Sequence, residues 1–239
     1  ITLVQESDVA QVRMRIYNPD GSEAEMSGNG IRLFAKFVID RKIAVPGPDG
    51  LIVETGGGVR AVVPTMDGEL MVAARVAMGE PELTPADIPV DAAAMGNPDR
   101  VLDYEIEAGG RLLKVTCLSV GNPHAVVFPE EDVDDFPLLG IGPYVENHPL
   151  FPNRINFEIA NVVDRDTLKA RIFERGAGET LSSGTGTTAT AVAAKLHGFT
   201  GDTVRVQVPG GELRITWPGE GEIYLEGPAV EVFEGVWRD

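Results

Sequence analysis

Short bursts of alternating apolar and polar residues fill most of this chain, each stopped by Gly, Pro or Asp. They predict strands at Leu51 to Glu54, Val59 to Pro64, Leu70 to Ala77, Leu112 to Leu118, His124 to Phe128, Val204 to Val208, Glu212 to Trp217, Glu222 to Glu226 and Val230 to Trp237. Two stretches break the two-residue period. Ile31, Phe34, Ala35, Val38 and Ile39 fall at helical spacing. The small residues Ala189 to Ala194, then Leu196, predict a second helix that Gly198 ends. Glu80 to Asp99, rich in Pro and Ala, predicts a connecting loop with a short helix. The pattern is α+β, with each half a curved, mostly antiparallel sheet around one central helix.

Those halves are related by an ungapped repeat. MRIYNPDGSEAEMSGNGIRLFA (Met14 to Ala35) recurs 156 positions later as ARIFERGAGETLSSGTGTTATA (Ala170 to Ala191). Arg15 aligns with Arg171, Glu23 with Glu179, Ser27 with Ser183, Gly28 with Gly184 and Gly30 with Gly186. The repeat implies two homologous domains, 1–107 with a returning strand at 229–239, and 108–228. In both copies a short strand enters a polar turn, and a serine then precedes Gly-x-Gly and a helix. Each serine therefore stands at the positive end of a helix, where backbone N–H groups lack intrahelical acceptors. Such an end holds a carboxylate or phosphate, and glycine lets the backbone approach it. Ordinary N-capping explains a serine there as well. It does not require Gly-x-Gly afterwards, nor a glutamate four residues before.

Composition narrows the partners. Over 239 residues, 43% hydrophobic and 24% charged is ordinary for a globular chain. A net charge of −17 argues against nucleic acid and anionic membranes as partners. No apolar run reaches the length that spans a bilayer. The one cysteine, Cys117, cannot form an internal disulfide, which fits a cytoplasmic setting, and its apolar run predicts burial. Ile1 opens directly in the apolar run ITLVQ, so the chain is expected to be a fragment or processed form that starts inside a strand.

The motifs NPDGSEAEMSGNGIRLFAKF, SVGNPHAVVF, ENHPLFPNRINF, ERGAGETLSSGTG and GPAVEVFEG, in this order, resemble the diaminopimelate epimerase family. Related proline and hydroxyproline racemases carry Gly-His-Gly in the first motif. Gly28-Asn29-Gly30 here, with Glu174-Arg175 in the second copy, resembles the diaminopimelate branch. The resemblance implies cofactor-independent interconversion of LL- and meso-diaminopimelate, a precursor of lysine and peptidoglycan. It implies a small amino-acid substrate, no metal, a homodimer and a site in the cleft between the halves. It also implies that Asn18, Asn122, Asn156, Glu174 and Arg175 contact substrate. Gly28-Asn29 and Gly184-Thr185 would donate backbone N–H groups to the α-carboxylate, and His124 would poise the neighbouring catalytic group. His148 is expected to fix a loop, and His197 to face solvent at a helix end.

One departure stands out. The family's paired bases are cysteines, whereas this chain carries Ser27 and Ser183 at those positions. A thiol ionises near pH 8.5, and a hydroxyl roughly five or more units higher. Generating the base then costs about 7 kcal/mol more, or about 10⁵ in rate if nothing compensates. The expectation is an epimerase impaired by serine at both base positions. The alternatives are a different proton-shuttling isomerase on the same scaffold and a non-catalytic amino-acid-binding homologue.

Overall fold

The computed structural model describes residues 1–17, 21, 23, 24 and 26–236. The fold is α+β, in two units: Ile1–Ala77 with Glu226–Asp239, and Met78–Leu225.

The first unit begins with β1 (Thr2–Gln5), β2 (Val12–Tyr17), β3 (Glu23–Ala24) and α1 (Gly28–Asp40). A meander of β4 (Leu51–Thr55), β5 (Gly58–Asp67) and β6 (Leu70–Gly79) follows. The strand order is β1-β2-β4-β5-β6, with β3 also on β2, and only the β2–β4 contact is parallel. Alternation decides which face of β4 turns inward: Leu51 and Val53 are fully buried while Ile52 and Glu54 are not. On α1 the five residues at helical spacing are all buried, and Leu33 and Phe37 are left about half exposed.

The second unit holds β7 (Tyr104–Ala108), β8 (Arg111–Ser119), β9 (Pro123–Val127), α2 (Leu138–Glu146), β10 (Asn156–Asp164), β11 (Thr167–Glu174) and β12 (Gly178–Thr180). It continues with α3 (Gly184–Leu196), β13 (Thr203–Val208), β14 (Gly211–Thr216) and β15 (Ile223–Pro228). Its order is β7-β8-β9-β10-β11-β13-β14-β15, with β12 on β11. The contacts β9–β10 and β11–β13 are parallel. Helix α3 is buried from Thr187 to Ala194, which is why its residues are small. Its threonines bring hydroxyls into that interior and satisfy them on the helix itself. Thr187 donates to Ser183 O at 2.8 Å, Thr188 to Gly184 O at 2.7 Å and Thr190 to Gly186 O at 2.8 Å. Gly198, at φ 73°, lies just past the C-cap His197 and ends the helix.

The repeat is kept at the level of strand register. In the first unit Ile16 faces Ala24 and Tyr17 faces Glu23; in the second Ile172 faces Thr180 and Phe173 faces Glu179, every position shifted by the same 156. Likewise Thr2 faces Ile16, and Glu158 faces Ile172. The repeated Arg and Glu form a cross-strand ion pair in each unit, Arg15 Nε to Glu23 at 2.7 Å and Arg171 Nε to Glu179 at 2.8 Å. Partly exposed pairs of this kind add little to stability. Their role is to hold the short strand that leads to each serine.

Three local expectations are corrected. Helix α2 was not anticipated, because LLGIGPYVE contains two glycines and Pro143, which removes one helical hydrogen bond. It forms because Leu138, Ile141 and Val145 share one buried face, so packing outweighs propensity. The segment 230–236 is not a strand: it alternates, but it lies against α1, where Arg41 pairs with Glu231 and Glu234, and Val232, Phe233 and Val236 stay exposed. Glu80 to Asp99 forms turns rather than a helix, since Pro81, Pro85 and Pro89 recur every four residues.

Packing of α2 generates a paired test. A Cβ on Gly142 would lie 2.4 Å from the Phe173 ring, whereas one on Gly140 meets nothing within 4 Å. Gly142→Ala is expected to lower stability by about 1–3 kcal/mol in urea unfolding, and Gly140→Ala to be neutral or stabilising by up to ~1 kcal/mol. Equal effects would contradict this packing.

Candidate active site

Both serines are helix N-caps with extended backbones. Ser27 Oγ accepts from Gly30 N at 3.0 Å, and Ser183 Oγ accepts from Gly186 N at 3.2 Å. The first backbone bonds of the helices follow, Ile31 N to Ser27 O and Thr187 N to Ser183 O. In α3 this leaves the N–H groups of Gly184 and Thr185 without an acceptor inside the helix. The second glycine of each motif serves a purpose other than ligand approach. A Cβ on Gly30 would press on Ser27 (3.1 Å) and Ile16 (3.4 Å), and one on Gly186 on Glu158 Oε1 (3.0 Å) and Ile172 (3.1 Å). Glycine there lets the first turn of the helix close onto its own strand.

The α1 end carries a buried cation. Arg32 donates to Gly28 O at 2.9 Å, Asn29 Oδ1 at 3.0 Å and Pro228 O at 3.4 Å. Burial lowers its pKa to about 10, so it stays charged near neutrality. A fixed positive charge in the first turns adds to the helix dipole in favouring an anion. Asn18 lies outside the described residues.

The α3 end is reached by a chain of side chains from three strands or turns. Glu158 Oε1, on β10, lies 2.7 Å from His124 Nδ1 on β9. His124 Nε2 lies 2.9 Å from Asn122 Oδ1, and Asn122 Nδ2 reaches Thr185 Oγ1 at 3.4 Å. Thr185 Oγ1 is 3.5 Å from Ser183 Oγ. The last two contacts are long and weak. Glu158 and His124 are completely buried, and burial pushes the Glu158 carboxyl up, opposed by His124 and reinforced by Glu174. Both ring nitrogens of His124 are engaged, so the ring acts on Ser183 only through Asn122 and Thr185.

A second branch leads to Glu174-Arg175. Asn156 donates to Pro123 O at 3.0 Å and accepts from Arg175 N at 2.8 Å, tying β9 to the turn after β11. Glu146, buried on α2, accepts from Gly176 N at 2.9 Å and from Arg154 Nη1 at 3.1 Å. The Arg175 side chain is exposed and donates to Asn153 O at 3.0 Å. The second unit thus joins Asn122, His124, Thr185 and Ser183 in one hydrogen-bonded chain with Glu158, and Asn156 and Arg175 in a second set anchored on Pro123, the residue before His124.

The two remaining histidines differ. His148 Nδ1 accepts from Leu150 N at 3.3 Å and so fixes a loop, as expected. His197 is not solvent-facing: it meets Thr116 Oγ1 at 2.8 Å and stacks on Phe199. Sequence reasoning missed Glu158 and Glu146. The signal for Glu158 was a lone acid in the apolar run NFEIA; Glu146 had none beyond its place in ENHP. Among the described residues no three His, Cys, Asp or Glu side chains gather to hold a metal.

Comparison with known proteins gives a consistent picture. The family model described as diaminopimelate epimerase matches residues 1–84 and 116–232. The chain is 47% identical over 233 residues to the diaminopimelate epimerase of Agathobacter rectalis, covering 96% of this chain and 81% of that protein. It is 46% identical over 236 residues to that of Moorella thermoacetica, covering 98% and 82%. In structure it is similar to a hydroxyproline epimerase from Agrobacterium vitis with bound trans-4-hydroxy-L-proline, at TM-score 0.67 and 14% identity over 95% of this chain and 71% of that one. A PhzF-family phenazine biosynthesis protein of Bacillus anthracis gives 0.64 at 18% identity, over 96% and 82%. At those identities the two structures share the fold.

Cys117, on β8, is buried, and burial pushes its thiol far above the usual range, so it is no substitute for a catalytic thiolate. The folded chain is expected to resist thiol reagents that label it readily in denaturant. Rapid labelling of the native protein would contradict this placement.

Proposed function

Because the chain belongs to the diaminopimelate epimerase family, we propose that it binds diaminopimelate at the serine-capped helix ends and inverts one α-carbon without pyridoxal phosphate. The observation that carries the reading is the network that ends on Ser183 and its neighbours. In this reading the α-carboxylate lies on the N–H groups of Gly184 and Thr185, with Gly28 and Asn29 as their repeat equivalents. Arg175 pairs bidentately with the distal carboxylate and Glu174 with the distal ammonium. Asn18, Asn122 and Asn156 complete the polar contacts.

Two-base inversion needs one group to take the α-proton and another to deliver a proton to the opposite face. Ser27 and Ser183 hold equivalent positions in the repeat and are assigned these roles. Each keeps a lone pair after accepting its capping N–H. Among the described residues Ser183 is not paired with a strong base, since His124 is committed to Glu158 and Asn122. Proton removal by serine is therefore slow. The same observation supports a second reading, in which the chain binds the amino acid without turning it over.

Proton NMR of LL-diaminopimelate in D₂O separates the two. The Ser27→Cys, Ser183→Cys protein is expected to wash out the α-proton about 10⁵-fold faster than the present chain. Equal rates would overturn the assignment of the serines. No exchange by either protein, with binding intact, would favour the second reading.

A further inference from the structure

Among the described residues Glu158 is the one fully buried acid in the site, and nothing in the proposed chemistry uses it. Oε1 has one partner, His124 Nδ1 at 2.7 Å, and Oε2 is buried with no partner. An ionised carboxylate in this position would leave most of its acceptor capacity unmet in an apolar interior, at a cost of several kcal/mol. A neutral carboxyl needs only to donate its proton. We propose that Glu158 is a positioning residue: its neutral carboxyl donates to His124 Nδ1 and thereby fixes the Asn122 amide toward the N-terminus of α3. The consequence for the ligand rests on the reading given above.

When Nδ1 accepts, the imidazole proton is on Nε2, and Nε2–H donates to Asn122 Oδ1 at 2.9 Å. That leaves Nδ2 of Asn122 as the group aimed at Thr185, 3.4 Å away. An amide turned the other way would present its carbonyl oxygen to the place where a carboxylate is bound, replacing attraction by repulsion. The surroundings keep Glu158 in place, because Oε1 lies 3.0 Å from where a Gly186 Cβ would be, with Ile172 beside it. The other titratable groups near Glu158 are Cys117 of β8 and Glu174 of β11. Neither offers it a proton donor that would favour the ionised form: the thiol is a weak donor and Glu174 an acid. Sequence alone hides this role, since the equivalent position in the first unit is Thr2.

The test uses the full chain labelled with ¹⁵N-histidine, read by long-range ¹H–¹⁵N NMR, and calorimetric titration with LL-diaminopimelate. At neutral pH the expected His124 signal is a single Nε2–H tautomer with an unprotonated Nδ1. Glu158→Gln, which can still donate from its amide, is expected to keep that tautomer and to bind within about threefold of the parent. Glu158→Leu is expected to lose the single tautomer and bind about tenfold or more weakly, and to melt at a lower temperature because His124 Nδ1 is left buried without its partner. A doubly protonated His124 in the parent chain overturns the neutral carboxyl, whether or not any variant folds. Loss of the tautomer in Glu158→Gln, or its survival in Glu158→Leu, overturns the positioning role. If the parent fails to bind LL-diaminopimelate, the functional reading fails, and the tautomer still decides the claim about Glu158.

Discussion

The first turn of α3 closes onto β10 and β11 so tightly that a Cβ at position 186 would stand 3.0 Å from Glu158 Oε1 and 3.1 Å from Ile172, forcing those side chains to shift. That approach sets most of the site. It brings the Ser183 cap down onto the strand pair, leaves the N–H groups of Gly184 and Thr185 at the open end, and places Glu158 beneath the helix. The helix tolerates it because its buried residues are small and its threonines return their hydroxyls to the backbone. A larger side chain in the first turn would lift the helix and loosen the donors together with the cap.

Charge acts locally here, against the global balance. A chain of net charge −17 is a poor host for anions in general. Diaminopimelate near neutrality carries two carboxylates and two ammonium groups, so it meets no net repulsion, and recognition falls to fixed short-range dipoles and charges. In the proposed reading the first turn of α3 and the exposed Arg175 supply those points in the second unit. The asparagines add neutral donors and acceptors whose orientation must be held by a second layer, which Glu158 with His124, and Pro123 O with Asn156, provide.

Much of this was legible in the residues. An ungapped repeat carries register as well as homology, so the equivalent serine caps followed from alignment, while the aligned Arg and Glu residues met as ion pairs only in the structure. Two-residue alternation located β4, β5, β6, β8, β9, β13, β14 and β15 but missed β7 and β10, and helical spacing located α1 and its buried face. What stayed hidden depends on neighbours distant in sequence. Helix α2 exists because β11 offers its residues a buried surface, which no local propensity for Gly-Ile-Gly-Pro records. Residues 230–236 alternate like a strand yet are held by ion pairs to Arg41 at the C-cap of α1 rather than by strand pairing. Glu158 reads as an ordinary strand acid, and only the parallel pairing of β9 with β10 puts it against His124.

The central claim is that the chain reads an amino acid at both ends, its α-carboxylate at the helix terminus and its distal carboxylate at Arg175. The most direct measurement is calorimetric titration of the chain with LL-diaminopimelate and with L-lysine, which lacks only the distal carboxylate and its α-amino-acid stereocentre. Preference for LL-diaminopimelate by about 100-fold or more, collapsing in Arg175→Met, is the predicted result. Equal affinity for the two amino acids would contradict the account.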